Sequence, residues 1–230
     1  MIGNFEVVAI IPARGGSKAI KNKNLRNLGE KPLVCWPINS SLEVSEIDQV
    51  IVSTDDIAIA EVSEKCGATV QFRPPELATD RSLVIDTIRD LIPKICKEKD
   101  RRYIFLLLEP TSPFRSSNTI RRCITRIVDD GFDSVATFSE AAINPERVWT
   151  IKKGIPAPYI DGAVPWLPRQ ELKPAYELNG AVYAFIADQL PKTGHSLLFG
   201  NYAGEIISQD EVIDIDTEKD LKVANALLAT

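Results

Sequence analysis

Histidine is almost absent from this chain of 230 residues, which contains only one. A histidine-rich zinc centre is therefore excluded, and a Ser-His-Asp triad would have to use His195, which falls in the predicted loop KTGHSLLFG. The cysteines form no C-x-x-C pair, and each falls in a predicted helical segment, so we expect reduced packing thiols, as is typical of a cytoplasmic protein. The four cysteines are Cys35, Cys66, Cys96 and Cys123.

Long apolar runs are also lacking. No stretch approaches the roughly 18 apolar residues of a membrane span, and the opening MIGNFEVV lacks the basic and apolar regions of a secretion signal. We therefore expect neither membrane insertion nor secretion. The formal net charge of −5 argues against a general nucleic-acid binder. With 44% hydrophobic residues the chain can bury a sizeable core, and we expect one domain over 1–230.

Short β-branched runs alternate with helical periodicity, which is the pattern of an α/β fold. Runs such as VVAII and IFLLL are apolar at consecutive positions, so helices should cover both faces of a mostly parallel sheet. Helices are predicted over 118–130 and 217–229, the second with Thr217 at its N-cap. The predicted strands are 6–12, 49–54, 68–73, 103–109, 134–138, 179–185 and 211–216.

Residues 140–178 interrupt this alternation. The segment is rich in proline and contains two of the three tryptophans, Trp149 and Trp166. It contains no repeat and no low-complexity tract, so we interpret it as an insertion rather than a linker.

Ligands of open parallel sheets bind beyond the carboxyl ends of the strands. The first predicted strand ends in a loop where Gly15 and Gly16 allow backbone N–H groups to turn toward an anion. The loop matches neither of the two best-known glycine-rich phosphate motifs, so a solvated basic loop is the alternative. Five cations and no acidic residue lie between 14 and 26: Arg14, Lys18, Lys21, Lys23 and Arg26.

Two further strand ends carry polar residues. In LLLEPTSPFR, Glu109 is followed by two prolines, which would also suit a simple rigid turn. In DIDTEKDL, Asp214 and Asp216 flank Ile215, and residues two apart on a strand point to the same side. Two carboxylates held so close repel each other unless a divalent cation binds them, although Asp216 could instead help to cap the last helix. A basic loop and a carboxylate pair at one sheet edge indicate a site for a nucleoside triphosphate with Mg²⁺.

The chain resembles the cytidylyltransferases that activate sialic acid and related nine-carbon 2-keto acids, the CMP-N-acetylneuraminate synthetase family. The resemblance covers nearly the whole chain. It implies a Rossmann-like nucleotidyltransferase fold and a direct attack of the sugar's anomeric hydroxyl on the α-phosphorus of CTP, with release of pyrophosphate. Its five motifs are IIPARGGSKAIKNKNL, RPPELATD, LLLEPTSPFR, RQ followed by NGAVY, and DIDTEKDL.

The same resemblance implies roles for individual residues. The catalytic set comprises three cations that contact the triphosphate and two carboxylates that hold Mg²⁺: Arg14, Lys18, Lys23, Asp214 and Asp216. Nucleotide contacts are implied for Ala13, Arg14, Gly15, Gly16, Ser17, Asn24, Arg73 and Asp80. Contacts to the acidic sugar are implied for Glu109, Arg169, Gln170, Asn179 and Gly180. In the family the insertion pairs two subunits, so residues 140–178 imply a homodimer.

Glu109 departs from the family pattern, because many sialic acid synthetases have Gln at this position. We expect it either to read the substituents of a relative of N-acetylneuraminate or to form a structural pair. The sequence leaves the general base open between Asp214, a metal-bound water and Glu109. Two other functions also stay open, a nucleotidyltransferase for Kdo or a hexose 1-phosphate and a non-catalytic nucleotide-binding module.

Overall fold

A seven-stranded sheet organises the chain. The computed structural model describes residues 2–98 and 100–229. The strands are β1 (Phe5–Pro12), β2 (Asn27–Leu28), β3 (Lys31–Pro32), β4 (Gln49–Thr54), β5 (Thr69–Phe72), β6 (Arg102–Leu107), β7 (Ser134–Glu140), β8 (Trp149–Lys152), β9 (Ile155–Pro158), β10 (Tyr176–Ile186) and β11 (Tyr202–Ile206). The helices are α1 (Cys35–Leu42), α2 (Ile57–Lys65), α3 (Val84–Ile95), α4 (Ser117–Val128) and α5 (Glu218–Leu228).

The large sheet is mostly parallel, as the sequence predicts. Its strand order is β11-β7-β10-β6-β1-β4-β5. Of these strands, β10 runs against the others and pairs antiparallel with both β6 and β7. The carboxyl ends of β1 and β6 are neighbours, because these strands pair parallel from Phe5 opposite Arg102 to Ile10 opposite Leu107. The loops that follow β1 and β6 therefore leave the sheet side by side.

Helices cover both faces of the sheet. On β1, Val7, Ala9 and Ile11 pack into the cluster that contains residues of α1, α2 and α4. Val8 and Ile10 point the other way, into the cluster that contains residues of α3. The consecutive apolar run of β1 is explained by this double coverage.

The carboxyl-terminal part of the chain differs from the predicted pattern. Residues 212–216 form no strand, and their alternating sequence instead runs as an extended segment outside the sheet. The edge strand beside β7 is β11, which the sequence analysis missed along with the β2–β3 and β8–β9 hairpins. The helix after Thr217 is confirmed, and Thr217 and Asp220 form a complete capping box at its start.

Two of the cysteines form a disulfide, so the expectation of reduced thiols is wrong for this pair. Cys35 at the start of α1 and Cys66 at the end of α2 have Cα atoms 5.9 Å apart. They are 31 residues apart in sequence and meet because α1 and α2 pack on the same face of the sheet. Spacing along the chain gives no signal of such a tertiary contact. Cys96 and Cys123 are free, and burial raises the pKa of each to about 12.

The insertion at 140–178 contains the β8–β9 hairpin and ends in the first residues of β10. It carries exposed apolar side chains, of which Trp166 is 83% exposed and Ile151 is 72% exposed. The rings of Trp149 and Trp166 lie 6.0 Å apart, so the two tryptophans form one apolar surface. Among the residues described, no helix has the length and apolar character needed to cross a membrane.

Candidate active site

The loop after β1 is held in place by hydrogen bonds at both of its ends. Ala13 continues the strand, because its N–H donates to the carbonyl of Ser53 at 2.9 Å. At the other end, the buried Asn24 donates from Nδ2 to the carbonyl of Arg14 at 2.9 Å. Asn24 therefore closes the loop on itself, and in this structure its side-chain amide is used for that purpose.

Gly15 is required where the loop passes the start of α2. Its N–H donates to Oδ1 of Asp55 at 2.9 Å, and a Cβ at this position would lie 2.8 Å from Oδ2 of Asp56. Among the described residues other than its chain neighbours, no heavy atom lies within 4 Å of a Cβ placed on Gly16. The two glycines thus differ, because the first permits a close approach and the second leaves open space beside the loop.

The cations of this loop divide into groups with different partners. Arg14 Nη1 lies 2.9 Å from Oδ1 of Asp80, and Lys18 forms an ion pair with the other carboxylate oxygen of Asp80. The hydrogen bonds from Lys18 and Arg14 lower the pKa of Asp80. Arg26 instead binds Glu218 at the start of α5 through two hydrogen bonds, at 2.6 Å and 3.1 Å. Asp80 therefore lies beside the two cations that the resemblance assigns to the triphosphate.

Arg73 is buried below the segment that contains Asp80. Its Nη2 donates to the carbonyl of Ser53 at 2.9 Å, and its Nη1 donates to the carbonyl of Leu77 at 3.4 Å. Burial lowers its pKa. These bonds fix the turn at 73–77 against β4, so Arg73 supports the wall of the site from inside the protein.

The loop between β6 and α4, residues 109–115, contacts the other elements of the site. The carbonyl of Thr111 accepts a hydrogen bond of 2.9 Å from the N–H of Ile215. The hydroxyl of Ser112 donates to the carbonyl of Asn179 at 3.3 Å. Arg115 Nε donates to the carbonyl of Ala181 at 2.6 Å. One short loop thus binds both the aspartate segment and β10.

A cavity of about 170 Å³ lies between this loop and the loop after β1. Arg14, Ser17 and Lys23 line one side, and Glu109 and Thr111 line the other. The cavity brings together cations of the first motif and the carboxylate of the third. This is the arrangement expected where the carboxyl ends of parallel strands meet.

Asp214 and Asp216 extend the same region. Ile215 between them is fully buried and both aspartates are exposed, so the alternation expected of a strand is present without the strand. Lys23 Nζ lies 3.0 Å from Oδ1 of Asp216 and 3.1 Å from the carbonyl of Ile215. Asp216 therefore has a cation as its side-chain partner, and the cap of α5 is supplied by Thr217.

Negative charge accumulates around this cavity. Desolvation and then the charge of Asp214 raise the pKa of Glu109, and desolvation and then the charge of Asp216 raise the pKa of Asp214. No group of three or more acidic, histidine or cysteine side chains suited to a metal occurs in the described residues. Two carboxylates nevertheless fit Mg²⁺, which typically uses one or two protein carboxylates together with phosphate oxygens and water.

The residues of the predicted sugar side are divided between two places. Asn179 and Gly180 lie beside the 109–115 loop, and a Cβ on Gly180 would lie 3.3 Å from Ser112 Oγ and 3.5 Å from Glu109 Oε2. Gly180 has a φ of +70°, which a glycine adopts without strain. It lies in an irregular stretch where the pairing of β10 with β7 shifts register.

Arg169 and Gln170 line a different and larger cavity, of about 630 Å³, formed by the insertion and the end of β7. Arg147 and Lys173 add positive charge to its lining, and Arg169 lies 3.3 Å from Glu140. Within this chain, the structure does not bring Arg169 and Gln170 into the cavity that contains Glu109.

Ser112 and Arg115 belong to the motif LLLEPTSPFR, but the sequence predicts no role for them. Both are buried and both bind β10. The sequence does not reveal that Arg115 is buried, because a charged residue just before a helix is usually solvated. Asp55 was also missed, since nothing in the sequence shows that it meets Gly15.

Comparisons with known proteins identify the family and the fold. A family model described as Cytidylyltransferase matches residues 8–157. A CMP-N,N'-diacetyllegionaminic acid synthase of Legionella pneumophila is 34% identical over 97% of each chain. An N-acylneuraminate cytidylyltransferase of Streptococcus agalactiae is 30% identical over 93% of this chain, which spans 51% of that protein. The solved structure of a CMP:2-keto-3-deoxy-manno-octonic acid synthetase complexed with CTP superposes with a TM-score of 0.71 at 17% identity, covering 97% of this chain and 98% of that one.

Proposed function

We propose that this chain, which belongs to the cytidylyltransferase family, converts CTP and a nine-carbon 2-keto acid sugar of the sialic or legionaminic acid type to the CMP-sugar and pyrophosphate. The observation that carries the proposal is the meeting of Lys23 with Asp216 beside the cavity lined by Arg14 and Glu109. A cationic loop and a carboxylate pair are what a triphosphate with its metal requires. The relatives supply the class of sugar.

The loop after β1 supplies positive charge for the triphosphate. Arg14, Lys18 and Lys23 neutralise the charge that accumulates as pyrophosphate leaves, which is most of what phosphoryl transfer needs from a protein. The N–H groups of Gly15 and Ser17 already donate, to Asp55 and to the carbonyl of Gly15, but the space beside Gly16 is open to a phosphate oxygen. In this structure Asp80 forms ion pairs with Arg14 and Lys18. We expect the bound triphosphate to replace Asp80 as the partner of these two cations.

Asp214 and Asp216 would hold Mg²⁺, with Lys23 beside them. The ion would supply charge neutralisation at the phosphates. The role of Ile215 is to fix both carboxylates, because its buried side chain and its N–H bond to Thr111 anchor the segment between them. The two aspartates therefore need no strand to point the same way.

On the sugar side, the bulge at Asn179 and Gly180 and the carboxylate of Glu109 would face the attacking sugar. We infer that the protein is a homodimer in which the insertion 140–178 covers the partner, because its exposed apolar side chains are too many for a free surface. Pairing of this kind would also give Arg169 and Gln170 a route to a sugar carboxylate that one subunit alone does not provide.

We place the reaction in the cytoplasm. Because Cys35 and Cys66 form a disulfide, reduced cysteines no longer support a cytoplasmic location. The use of CTP supports it instead, because the cytoplasm contains nucleoside triphosphates.

The decisive experiment is pyrophosphate release across the four nucleoside triphosphates. Each would be paired with N-acetylneuraminate, a legionaminic-type diamino acid, Kdo and a hexose 1-phosphate. We expect release only with CTP and a nine-carbon acid, and only when Mg²⁺ or a similar cation is present. Release with Kdo or a hexose 1-phosphate alone would identify a different sugar nucleotidyltransferase. Binding of CTP without release in any mixture would indicate a non-catalytic module.

A further inference from the structure

Arg115 is a buried cation in the loop whose first residues line the cavity, and the mechanism above does not use it. The residue is 3% exposed. Its Nε donates to the carbonyl of Ala181 at 2.6 Å, and its Nη2 donates to the carbonyl of Glu109. These carbonyls belong to different segments of the chain. Ala181 lies at the irregular stretch of β10 beside Asn179 and Gly180, and Glu109 follows β6.

The two bonds lie where regular sheet pairing is interrupted. The register of β10 and β7 shifts between Leu178 and Tyr183, so the backbone of 179–182 is not fixed by a continuous ladder. The hydroxyl of Thr137 on β7 binds this stretch at Val182 and at the side chain of Asn179, but it does not contact the carbonyl of Ala181. Pairing of β10 with β6 starts at Tyr183 opposite Leu107 and does not reach Glu109. The guanidinium of Arg115 therefore supplies these two carbonyls with the hydrogen bonds that neighbouring strands supply elsewhere in the sheet.

A role in stability alone does not explain an arginine here. Burying a guanidinium is costly, and well-packed apolar residues commonly replace buried charges without loss of stability. Arg115 also keeps one donor without a partner, because Nη1 is buried and makes no hydrogen bond to any described protein group. An apolar residue cannot donate hydrogen bonds to two carbonyls at once. Lysine lacks the planar guanidinium whose N–H groups fix the directions of the two carbonyls relative to each other.

The loop that carries Arg115 also fixes the aspartate segment. The carbonyl of Thr111 binds the N–H of Ile215, and Ser112 binds the carbonyl of Asn179. Residues 109–115 thus hold in position both the carboxylates that would bind the metal and the bulge that would face the sugar.

We propose that Arg115 is a positioning residue, which sets the bulge at Asn179–Ala181 against Glu109 and so aligns the sugar with the α-phosphate of CTP. The expected effect of Arg115 on sugar kinetics rests on the proposed function, whereas its expected effect on the backbone of Asn179–Ala181 does not. Because Arg115 touches β10 and not the nucleotide loop, its loss should affect the sugar and leave CTP binding unchanged.

The test compares Arg115→Lys with Arg126→Lys, a control on the helix α4 that follows the loop, whose guanidinium instead packs against Phe132. In Arg115→Lys we expect KM for the sugar to rise and kcat to fall, each by roughly tenfold or more, because misplacement of reactants by about 1 Å is that costly. The Kd for CTP should stay within about twofold of the wild-type value. Hydrogen exchange should accelerate at 178–183 and stay unchanged at 13–24. Arg126→Lys should show none of these changes.

The outcomes separate this inference from the proposed function. Equal losses of CTP and sugar binding, or unchanged exchange at 178–183, would overturn the positioning role. If the wild-type protein makes no CMP-sugar with any acid tested, the proposed function fails, and the exchange experiment still decides whether Arg115 fixes the bulge. If Arg115→Lys does not fold, Ser112→Ala decides the question, because it removes only the bond to Asn179. It should raise KM for the sugar by about threefold at unchanged CTP affinity, and no change would count against the proposal.

Discussion

Lys23 Nζ and Asp216 Oδ1 lie 3.0 Å apart, although their residues are 193 positions apart in sequence. The contact joins the loop after β1 to the segment before α5. It places a carboxylate within reach of the same triphosphate that the loop cations would bind. Asp216 is largely exposed, so this ion pair should contribute little to folding, and we propose that Asp216 serves the reaction instead.

Replacing Asp216 by asparagine tests that role. Asp216→Asn keeps the shape of the side chain and leaves the capping box of Thr217 and Asp220 intact, so the melting temperature should stay near that of the wild type. We expect kcat to fall by roughly 100-fold or more, the scale on which one electrostatic partner of a transition state matters. Glu218→Gln, which removes the partner of Arg26 at the start of the same helix, is the control. Wild-type turnover in Asp216→Asn would exclude Asp216 as a metal ligand.

The disulfide predicts a specific count of thiols. In protein oxidised in air and then denatured, two thiols should react, from Cys96 and Cys123, and four should react after reduction. Closing a loop between cysteines 31 residues apart should stabilise the fold by about 3–4 kcal/mol. Denaturant unfolding with and without reductant measures this difference. Cys96→Ala should leave this difference in the free energy of unfolding unchanged. Four reactive thiols before reduction would show that the pair does not form in solution.

The core of the fold was predictable because its signals are local. The apolar runs of β1 and β6 and the capping residues of α5 depend on neighbours in sequence. The disulfide, the β11 edge and the contact of Gly15 with Asp55 depend on which elements pack together, and no local pattern contains that information. The carboxylate pair shows both cases. The alternation of Asp214, Ile215 and Asp216 was correct, and the strand inferred from it was wrong.

The site was predicted in part for the same reason. Motif residues at the ends of β1 and β6 do meet at one cavity. The separation of Arg169 from Glu109 could not be predicted, because it depends on how the insertion folds back on the sheet. Arg115 was missed because burial of a cation follows from tertiary contacts with two backbone carbonyls.

A single substitution in the insertion should disrupt the proposed homodimer. Trp166 is 83% exposed in one subunit, so Trp166→Asp should not harm the fold, but it would bury a charge in a subunit interface. Light scattering should show a dimer for the wild type and a monomer for the variant. The monomer should bind CTP and turn over poorly. Ile57→Asp, at an exposed apolar position on α2, should remain dimeric. A monomeric and fully active wild type would contradict the assembly.

The raised pKa of Glu109 predicts how a neutral replacement affects stability. In the folded protein Glu109 keeps its proton to higher pH than in the unfolded chain, so its ionisation costs stability as the pH rises through the folded pKa. Glu109→Gln removes that cost. With chelator and no nucleotide, the variant should melt at a higher temperature than the wild type near pH 8, and the two should converge below about pH 4. The exposed Glu30→Gln should melt like the wild type at every pH. A wild type more stable than Glu109→Gln at high pH would show that an ionised Glu109 has a stabilising partner.

Glu109 should also influence which sugar is chosen. Its carboxylate lines the cavity with Arg14 and Lys23, and its Oε2 lies close to the position that a Cβ on Gly180 would occupy. It therefore lies between the nucleotide side and the bulge that would face the sugar. An ionised carboxylate only accepts hydrogen bonds, whereas glutamine also donates, so a sugar group that meets Glu109 must be a donor such as an amide N–H, a hydroxyl or an ammonium.

A diamino acid of the legionaminic type offers one more nitrogen donor than N-acetylneuraminate, so an ionised Glu109 should favour the diamino acid. The measurement is kcat/KM for both sugars in the wild type and in Glu109→Gln. We expect the ratio to shift toward N-acetylneuraminate by roughly tenfold, because mispairing a buried polar group costs about 1–3 kcal/mol. An equal loss on both sugars would instead place Glu109 in the shared chemistry. Unchanged values for both would assign it a structural role beside Arg115, whose pKa burial lowers to about 9 while leaving the guanidinium charged at neutral pH.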